Sequence, residues 1–404
     1  MSKQALEGVK VADFTWVAAG PLTTNYLAQC GATVVKIESI TKPDGIRTFP
    51  PNKDNQAGPN RSLLFSMENA NKLSMTLNLK HPKGLELVKR LVAWADIVAE
   101  NYRPGTMERW GLGYEDLKKI NPSIIMFSSS AQGQTGPDAG MGATGITLQS
   151  LSGFTHLTGW PDRDPAPPWG AYTDLTAPAF GAAALMAALD YRDRTGKGQY
   201  LDLSQYEAGL HYLSPAILDY HVNGRVAGRT GNAQPYAAPH GVYRCSGEER
   251  WCCIAVFNEK EWTAFRQIMG EPGWAKEERF STFLKRKKNE AELNALVETW
   301  TSRHSPEDVM AMLQEKGISA GVVKNAQDIY EDPQLKEREF FKKLDHPEIG
   351  PLSHRSVGFK LSRTPCGPIR PGPCLGEHTE QVCREFLGMS DEEFVDLITD
   401  GVFE

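Results

Sequence analysis

Metal-binding and disulfide chemistry is thinly supplied in this chain of 404 residues. Its nine histidines are isolated, with no His-x-x-x-His spacing and no Cys/His cluster, which argues against a metal centre. The seven cysteines (Cys30, Cys245, Cys252, Cys253, Cys366, Cys374 and Cys383) are odd in number and contain no Cys-x-x-Cys pair. That usage predicts reduced thiols in a cytoplasmic protein rather than a disulfide framework. Long apolar runs are also missing. The longest, 177–189, is too short to cross a bilayer and is broken by Pro178 and Gly181. The first residues lack the apolar stretch of a signal peptide. Positive charge is in deficit, with a formal net charge of −6, so no affinity for nucleic acid is expected. The Gly-x-Gly-x-x-Gly phosphate turn is absent too. The first strand runs into Trp16-Val-Ala-Ala-Gly20-Pro21, and one glycine beside a proline cannot build that cradle, so nicotinamide dinucleotides are not predicted.

What remains is an ordinary globular composition, 40% hydrophobic and 23% charged, in a chain long enough for two domains. Residues 9–13 predict a strand, 22–29 a helix ended by Gly31, and 33–38 a second strand, a βαβ unit that implies a parallel sheet. The apolar stripe Leu85, Val88, Val92 and Ala95 predicts an amphipathic helix over 82–95. Strands at 96–100, 123–128 and 200–203 continue the alternation, and 133–145 is a Gly-rich loop. The character changes after about 221. A Gly-, Pro- and Asn-rich connection, readable as a linker or as a lid, leads to a hairpin at 241–257. Helices at 259–269, 289–301 and 306–316 follow, with a strand at 318–323. This divides the chain into a large domain of 1–224 and 331–404 and a small domain of 225–330. Prolines crowd 365–373 and predict an extended strap, followed by a helix at 379–387.

One acid stands out. Asp174 precedes a run of small residues, Ala-Pro-Ala-Phe-Gly-Ala-Ala-Ala, at the mouth of a helix, with no His or second carboxylate beside it. A lone carboxylate suits neither metal binding nor paired acid–base work. It suits nucleophilic attack to form a covalent acyl intermediate. Its sequence context fits a plain helix N-cap equally well.

A set of longer motifs points further. Asp13-Phe-Thr-Trp-Val-Ala-Ala-Gly20-Pro21, Val35-Lys-Ile-Glu38, Pro43-Asp-Gly-Ile-Arg47 and 71–80 stand in series. They are followed by 100–113 (Glu-Asn-Tyr-Arg-Pro-Gly at its start), Thr195-Gly-Lys-Gly-Gln199 and Gly376-Glu-His-Thr379. Together these resemble the class III CoA-transferases, the family of formyl-CoA and carnitine CoA-transferases, in order over about 6–387. The resemblance implies an α/β fold with a Rossmann-like large domain formed by both chain ends, a smaller α+β domain inserted, and an interlocked dimer. It implies coenzyme A thioesters and carboxylic acids as substrates, with no tightly bound cofactor. It places Asp174 at the catalytic aspartate. Val17 and Ala18 fall near the pantetheine and thioester. Asn71, Lys72, Asn101, Tyr102, Arg109 and Trp110 fall where the family holds the adenosine diphosphate, and Arg47 and Arg103 add cationic charge for phosphates. The family often carries Gln where this chain has Ala18, which removes one side-chain donor.

The function so implied is transfer of CoA from an acyl-CoA to a carboxylate acceptor, through aspartyl anhydride and aspartyl-CoA intermediates. A bulky acceptor such as benzylsuccinate, with succinyl-CoA as donor, fits the aromatic residues Trp160, Trp169 and Tyr172 near Asp174 in sequence. Two alternatives stay open. An α-methylacyl-CoA racemase of the same fold would need a base in the Gly-rich loop, where Ala139-Gly-Met-Gly-Ala-Thr-Gly145 offers none. The other is a non-catalytic CoA-binding subunit of a heteromer, so the partner is either a second copy or a related chain.

Overall fold

Strand β1 (Lys10–Asp13) sits at the centre of a parallel sheet, hydrogen-bonded to β2 (Thr33–Glu38) on one side and β4 (Ile97–Glu100) on the other. With β3 (Leu73–Thr76), β5 (Ile125–Ser130) and β6 (Tyr200–Ser204), the order is β3-β2-β1-β4-β5-β6 and every pairing is parallel. The computed structural model describes residues 4–404. Sheets of this kind are covered on both faces, so their strands are apolar on both sides. Neighbouring residues accordingly point to separate cores. Val11, Val34 and Ile97 pack with Leu27 of α1 (Ala19–Gln29) and with Leu185 and Ala188. Ala12, Val35 and Val98 pack instead with Leu87, Val88 and Leu91 of α2 (Pro82–Trp94).

Both ends of the chain share that second core, because Val382, Phe394, Leu397 and Phe403 complete it. The proline-rich segment before them is extended and tied down residue by residue. Asn71 Oδ1 accepts from the amides of Ile369 and Arg370, the Gly372 amide bonds Ser66, and Gly376 bonds Ser74 Oγ.

The chain divides into two units, one of 1–155, 167–226 and 333–404, the other of 156–166 and 227–332. Within the smaller unit, β7 (His240–Arg244), β8 (Trp251–Ala255) and β9 (Ser319–Val322) form an antiparallel sheet. Helices Glu259–Ile268, Glu290–Thr301 and Pro306–Glu315 supply Trp262, Phe265, Leu293, Val297 and Leu313 to its core. Residues 156–166, placed in the large domain from sequence, belong here. Arg229 donates to the carbonyls of His156 and Trp160, and Gly231 bonds Gly159 while lying under the Trp160 ring. Those ties run through the segment readable as a lid. Elements that the sequence analysis does not predict include strand β3, the hairpin of β10 (Phe341–His346) and β11 (Gly350–Arg355), helices Tyr114–Ile120 and Ser214–Asn223, and the closing helix Asp391–Thr399. The predicted helix at 379–387 is one short turn, Thr379–Gln381, followed by a wider turn over Val382–Phe386. No helix among the described residues is long and apolar enough to cross a membrane.

Candidate active site

The sheet order reverses between β1 and β4, and in open parallel sheets ligands bind in the crevice beyond the carboxyl ends of the strands at such a point. The chain leaving β1 is held there with little freedom. Asp13 Oδ1 accepts from the Thr15 amide at 3.0 Å and the Thr15 hydroxyl at 2.5 Å. Asn101, just past β4, grips the backbone of Trp16 twice, accepting its N–H at 2.7 Å and donating to its carbonyl at 2.8 Å. Gly20 lets these groups approach, since a Cβ there would lie 2.5 Å from Thr15 Cβ and 3.0 Å from Asn101 Cγ. Trp16 and Tyr102 meet edge to face at 6.1 Å, and Tyr102 and Trp110 at 5.4 Å. Trp16 Nε1 is buried there without an acceptor. The structure thus brings together Val17, Ala18, Asn101, Tyr102 and Trp110.

The cations separate into two groups. Arg103 and Arg109 are exposed and form no ion pair among the described residues. Arg103 lies against Gly142 of the Gly-rich loop, where a Cβ would meet its Nη2 at 2.7 Å, and Arg109 donates to Thr106 Oγ1. Lys42, which sequence reasoning passed over, is exposed with its ammonium 5.6 Å from the Trp16 ring.

Arg47, Lys72 and Asn71 are different, and for them the expected contact with CoA is corrected. Arg47 is fully buried, forked onto both oxygens of Glu38 and further bonded to the carbonyl of Pro59. Lys72 is 1% exposed and spends its ammonium on Asp13, Thr24, Asn69 and the carbonyl of Pro21. Asn71 saturates its amide on Ala28, Gly367, Ile369 and Arg370. A buried charge is stable only when paired. These three groups have protein partners for every hydrogen bond they offer, so they build the scaffold behind the crevice. Burial alone would raise the affinity of Asp13 and Glu38 for protons. For Asp13 the neighbouring Lys72 and Lys36, and for Glu38 the Arg47 guanidinium and Lys36, outweigh it and hold both carboxyls below their ordinary range. Glu100, at the end of β4, has no such cation. Burial pushes its carboxyl up to about 7, against the Tyr102 amide that donates to it at 2.7 Å.

Asp174 lies in the first turn of α3 (Tyr172–Thr195), the helix that returns the chain to β6. Helices that connect parallel strands begin at the carboxyl edge of the sheet, which puts the starts of α1 and α3 on the same edge. The two helices pack closely, since a Cβ at Gly181 would lie 2.8 Å from Thr23 Cγ2. Asp174 is not an N-cap. Ala171 holds that position, no side chain caps the helix, and the Asp174 carboxylate makes no hydrogen bond or ion pair among the described residues. Pro178 lacks the N–H that would bond the Asp174 carbonyl, which loosens the helix at this residue. Gln149, itself buried, accepts the Tyr172 amide at 3.2 Å and fixes the helix start. Burial without a partner pushes the Asp174 carboxyl up to about 6. Tyr172, two residues before it, meets Phe154 and Tyr212 edge to face at 5.0 and 6.4 Å, whereas Trp169 is 93% exposed. Trp160 and Tyr236 lie in the other unit.

Gly145 is a further residue that sequence reasoning missed. A Cβ there would sit 2.1 Å from Ala171 Cβ and 2.9 Å from Asp174 Oδ2, so only glycine leaves the carboxylate where it is. Gly145→Ala is expected to lower kcat on the order of 100-fold by displacing Asp174 about 1 Å, with the fold retained. Steady-state kinetics beside circular dichroism check it, and unchanged kcat would remove Gly145 from the site. No group of three or more His, Cys, Asp or Glu residues is gathered as for a metal ion among the described residues.

Comparison with known proteins completes the picture. A family model described as CoA-transferase family III matches residues 6–379. The chain is 34% identical over 391 residues to a protein of Chloroflexus aurantiacus named succinyl-CoA–D-citramalate CoA-transferase, covering 96% of this chain and 95% of that one. It is 33% identical over 397 residues to the β subunit of succinyl-CoA–L-malate CoA-transferase from the same organism, covering 97% and 96%. Among solved structures, a CaiB/BaiF family protein from Brucella suis superposes with a TM-score of 0.87 at 32% identity, over 95% of this chain and all of that one.

Proposed function

The chain belongs to CoA-transferase family III, and from that premise we propose that Asp174 is the nucleophile of a transfer between two carboxylic acids. The observation that carries this reading is a partly buried, unpartnered carboxylate at a helix start, with room left beside it by Gly145. An ionised Asp174 oxygen attacks the thioester carbonyl of the donor, and the C–S bond breaks to give an acyl-aspartyl anhydride and CoA thiolate. The thiolate attacks the aspartyl carbonyl, releasing the donor acid and leaving an aspartyl-CoA thioester. The acceptor carboxylate attacks that thioester, expelling the thiolate. The thiolate then attacks the acceptor carbonyl, which forms the new acyl-CoA and returns Asp174 as a carboxylate. No proton is gained or lost over the cycle.

Each step develops an oxyanion. The first N–H groups of α1, and those of α3 that follow the Tyr172 amide held by Gln149, have no intrahelical acceptor, and we assign them to that charge in place of the side-chain amide that Ala18 lacks. Val17, Ala18, Asn101, Tyr102 and Trp110 border the pantetheine and adenine portions in this reading. Arg103 and Arg109, with Lys42, face the phosphates.

For substrates, we infer succinyl-CoA as donor and a succinate bearing a substituent on its second carbon as acceptor. Citramalate and malate, in the names of the two relatives, share that skeleton, and benzylsuccinate is its aromatic member. The aromatic cluster of Phe154, Tyr172 and Tyr212, which joins the helix start through Tyr172, supports an apolar substituent. A second chain completes the assembly in this reading, a copy or a related subunit. The exposed Tyr212, Ile217, Leu218, Tyr220 and Val222 support such a surface. Incubation with succinyl-CoA, borohydride or hydroxylamine trapping and peptide mass mapping tests the proposal. A tag on the peptide containing Asp174 is expected, and an active enzyme trapped with no modification there would overturn it.

A further inference from the structure

Val17 is a β-branched residue at φ +65°, in the left-handed region where a branched Cβ is strained. Such a conformation persists only where neighbours over-determine it, and here the neighbours can be named. Its amide donates to Asp44 Oδ1 at 2.9 Å, while the peptide before it is gripped by Asn101. Asp44 is itself immobile. It is fully buried, its Oδ1 also accepts the Ile46 amide at 3.1 Å, and its Oδ2 pairs with the buried Lys36 ammonium at 3.0 Å. Lys36 in turn bonds the Thr15 carbonyl at 2.6 Å, closing a ring of contacts around the turn between β1 and α1. Asp44, Lys36 and Thr15 have no solvent to exchange for their partners, so the turn is held fast from its buried side.

We propose that Asp44 is a positioning residue for transfer: by accepting the Val17 amide it holds the strained turn that sets the backbone at the start of α1 against the thioester. This rests on the reading that Val17 and Ala18 border the thioester. Asp44 touches no substrate; it acts through the backbone it holds. Loss of the acceptor lets Val17 relax to negative φ and rotates the Val17–Ala18 peptide away from its place.

The test compares Asp44→Ala, Asp44→Asn and the double variant Asp44→Ala with Val17→Gly in steady-state transfer, with Asp174→Ala run alongside. Asp44→Ala is expected to lower kcat about 100-fold while KM for the acyl-CoA moves less than about threefold. Asp44→Asn, which keeps the Oδ1 acceptor for the Val17 amide but replaces the Oδ2 that pairs with Lys36 by an NH2, is expected to hold kcat within about fivefold. Glycine adopts φ +65° without penalty, so the double variant is expected to regain about tenfold over Asp44→Ala. A merely structural ion-pair role would make Asp44→Asn as poor as Asp44→Ala and leave the glycine without effect, and that pattern overturns the proposal. So does full kcat in Asp44→Ala. If Asp44→Ala does not accumulate as folded protein, Asp44→Asn and the double variant decide the matter by the same criteria. Turnover surviving in Asp174→Ala would instead sink the reading on which this rests, whatever Asp44 does.

Discussion

Replacing Asp174 with alanine or asparagine is expected to lower kcat by a factor on the order of 10⁴ or more, because no other group near it can form the covalent intermediate. Acyl-CoA binding, measured by calorimetry, is expected to persist, since the crevice at β1 and β4 is untouched. The same substitution carries a second signature. Burial raises the Asp174 carboxyl to about 6 from the ordinary 3.8. A group whose proton is held more tightly in the folded state adds stability below its unfolded pKa, and that stability is lost as pH rises through the folded one. At pH 7 the ionised Asp174 therefore weakens the fold. Asp174→Asn is expected to stabilise the protein by about 1–2 kcal/mol at pH 8, after allowance for partial exposure, and by less at pH 5. Thermal melts at the two pH values check this. In the active enzyme, kcat/KM is expected to climb with pH through about 6 as the nucleophile ionises. Loss of activity with no gain in stability would show that the carboxylate is already at ease in its place.

The second large effect runs opposite to what the sequence suggests. Lys72→Ala is expected to cost about 3–5 kcal/mol of folding free energy, because it removes the ammonium bonded to the buried Asp13 carboxylate. KM for the acyl-CoA is expected to stay within about threefold, as Lys72 offers no free hydrogen bond to a ligand. The loss grows in a definite direction with pH. The Asp13 carboxyl is held below its ordinary 3.8 by Lys72 and Lys36. Its contribution is therefore present above that value and disappears as pH falls through the depressed one. Wild type and variant are expected to converge in stability in strong acid. Denaturant titrations across pH measure this. A variant of normal stability with a KM raised more than about tenfold would return Lys72 to the ligand site.

Those two residues mark where local reasoning carries and where it stops. The strand over 33–38 and the amphipathic helix from Pro82 were legible because their periodicity is written in adjacent residues. The α/β alternation and the parallel sheet followed from that pattern; a domain built from both chain ends was implied only by the resemblance to a family. Strand β3, Leu-Ser-Met-Thr, is too short to show a period, and the hairpin at 341–355 is mostly polar, so neither stood out. The helix from Asp391 does carry a local signal: Ser390 and Glu393 have the spacing of a helix start, and Ser390 Oγ accepts the Glu393 amide.

For the site, the sequence alone determined that one carboxylate stands apart from every His and every second acid, and that it stands at a helix start. Whether that acid caps the helix was decided only by the tertiary structure, which puts Ala171 at the cap and Gly145 against the carboxylate. The same holds for the cations. Arg47, Lys72, Arg103 and Arg109 are alike on paper, and each could face a phosphate. Their fates diverge because Glu38 and Asp13 come from other parts of the sheet to meet the first two. A charge seeks the nearest opposite charge in space once water is removed, and distance along the chain does not determine that distance.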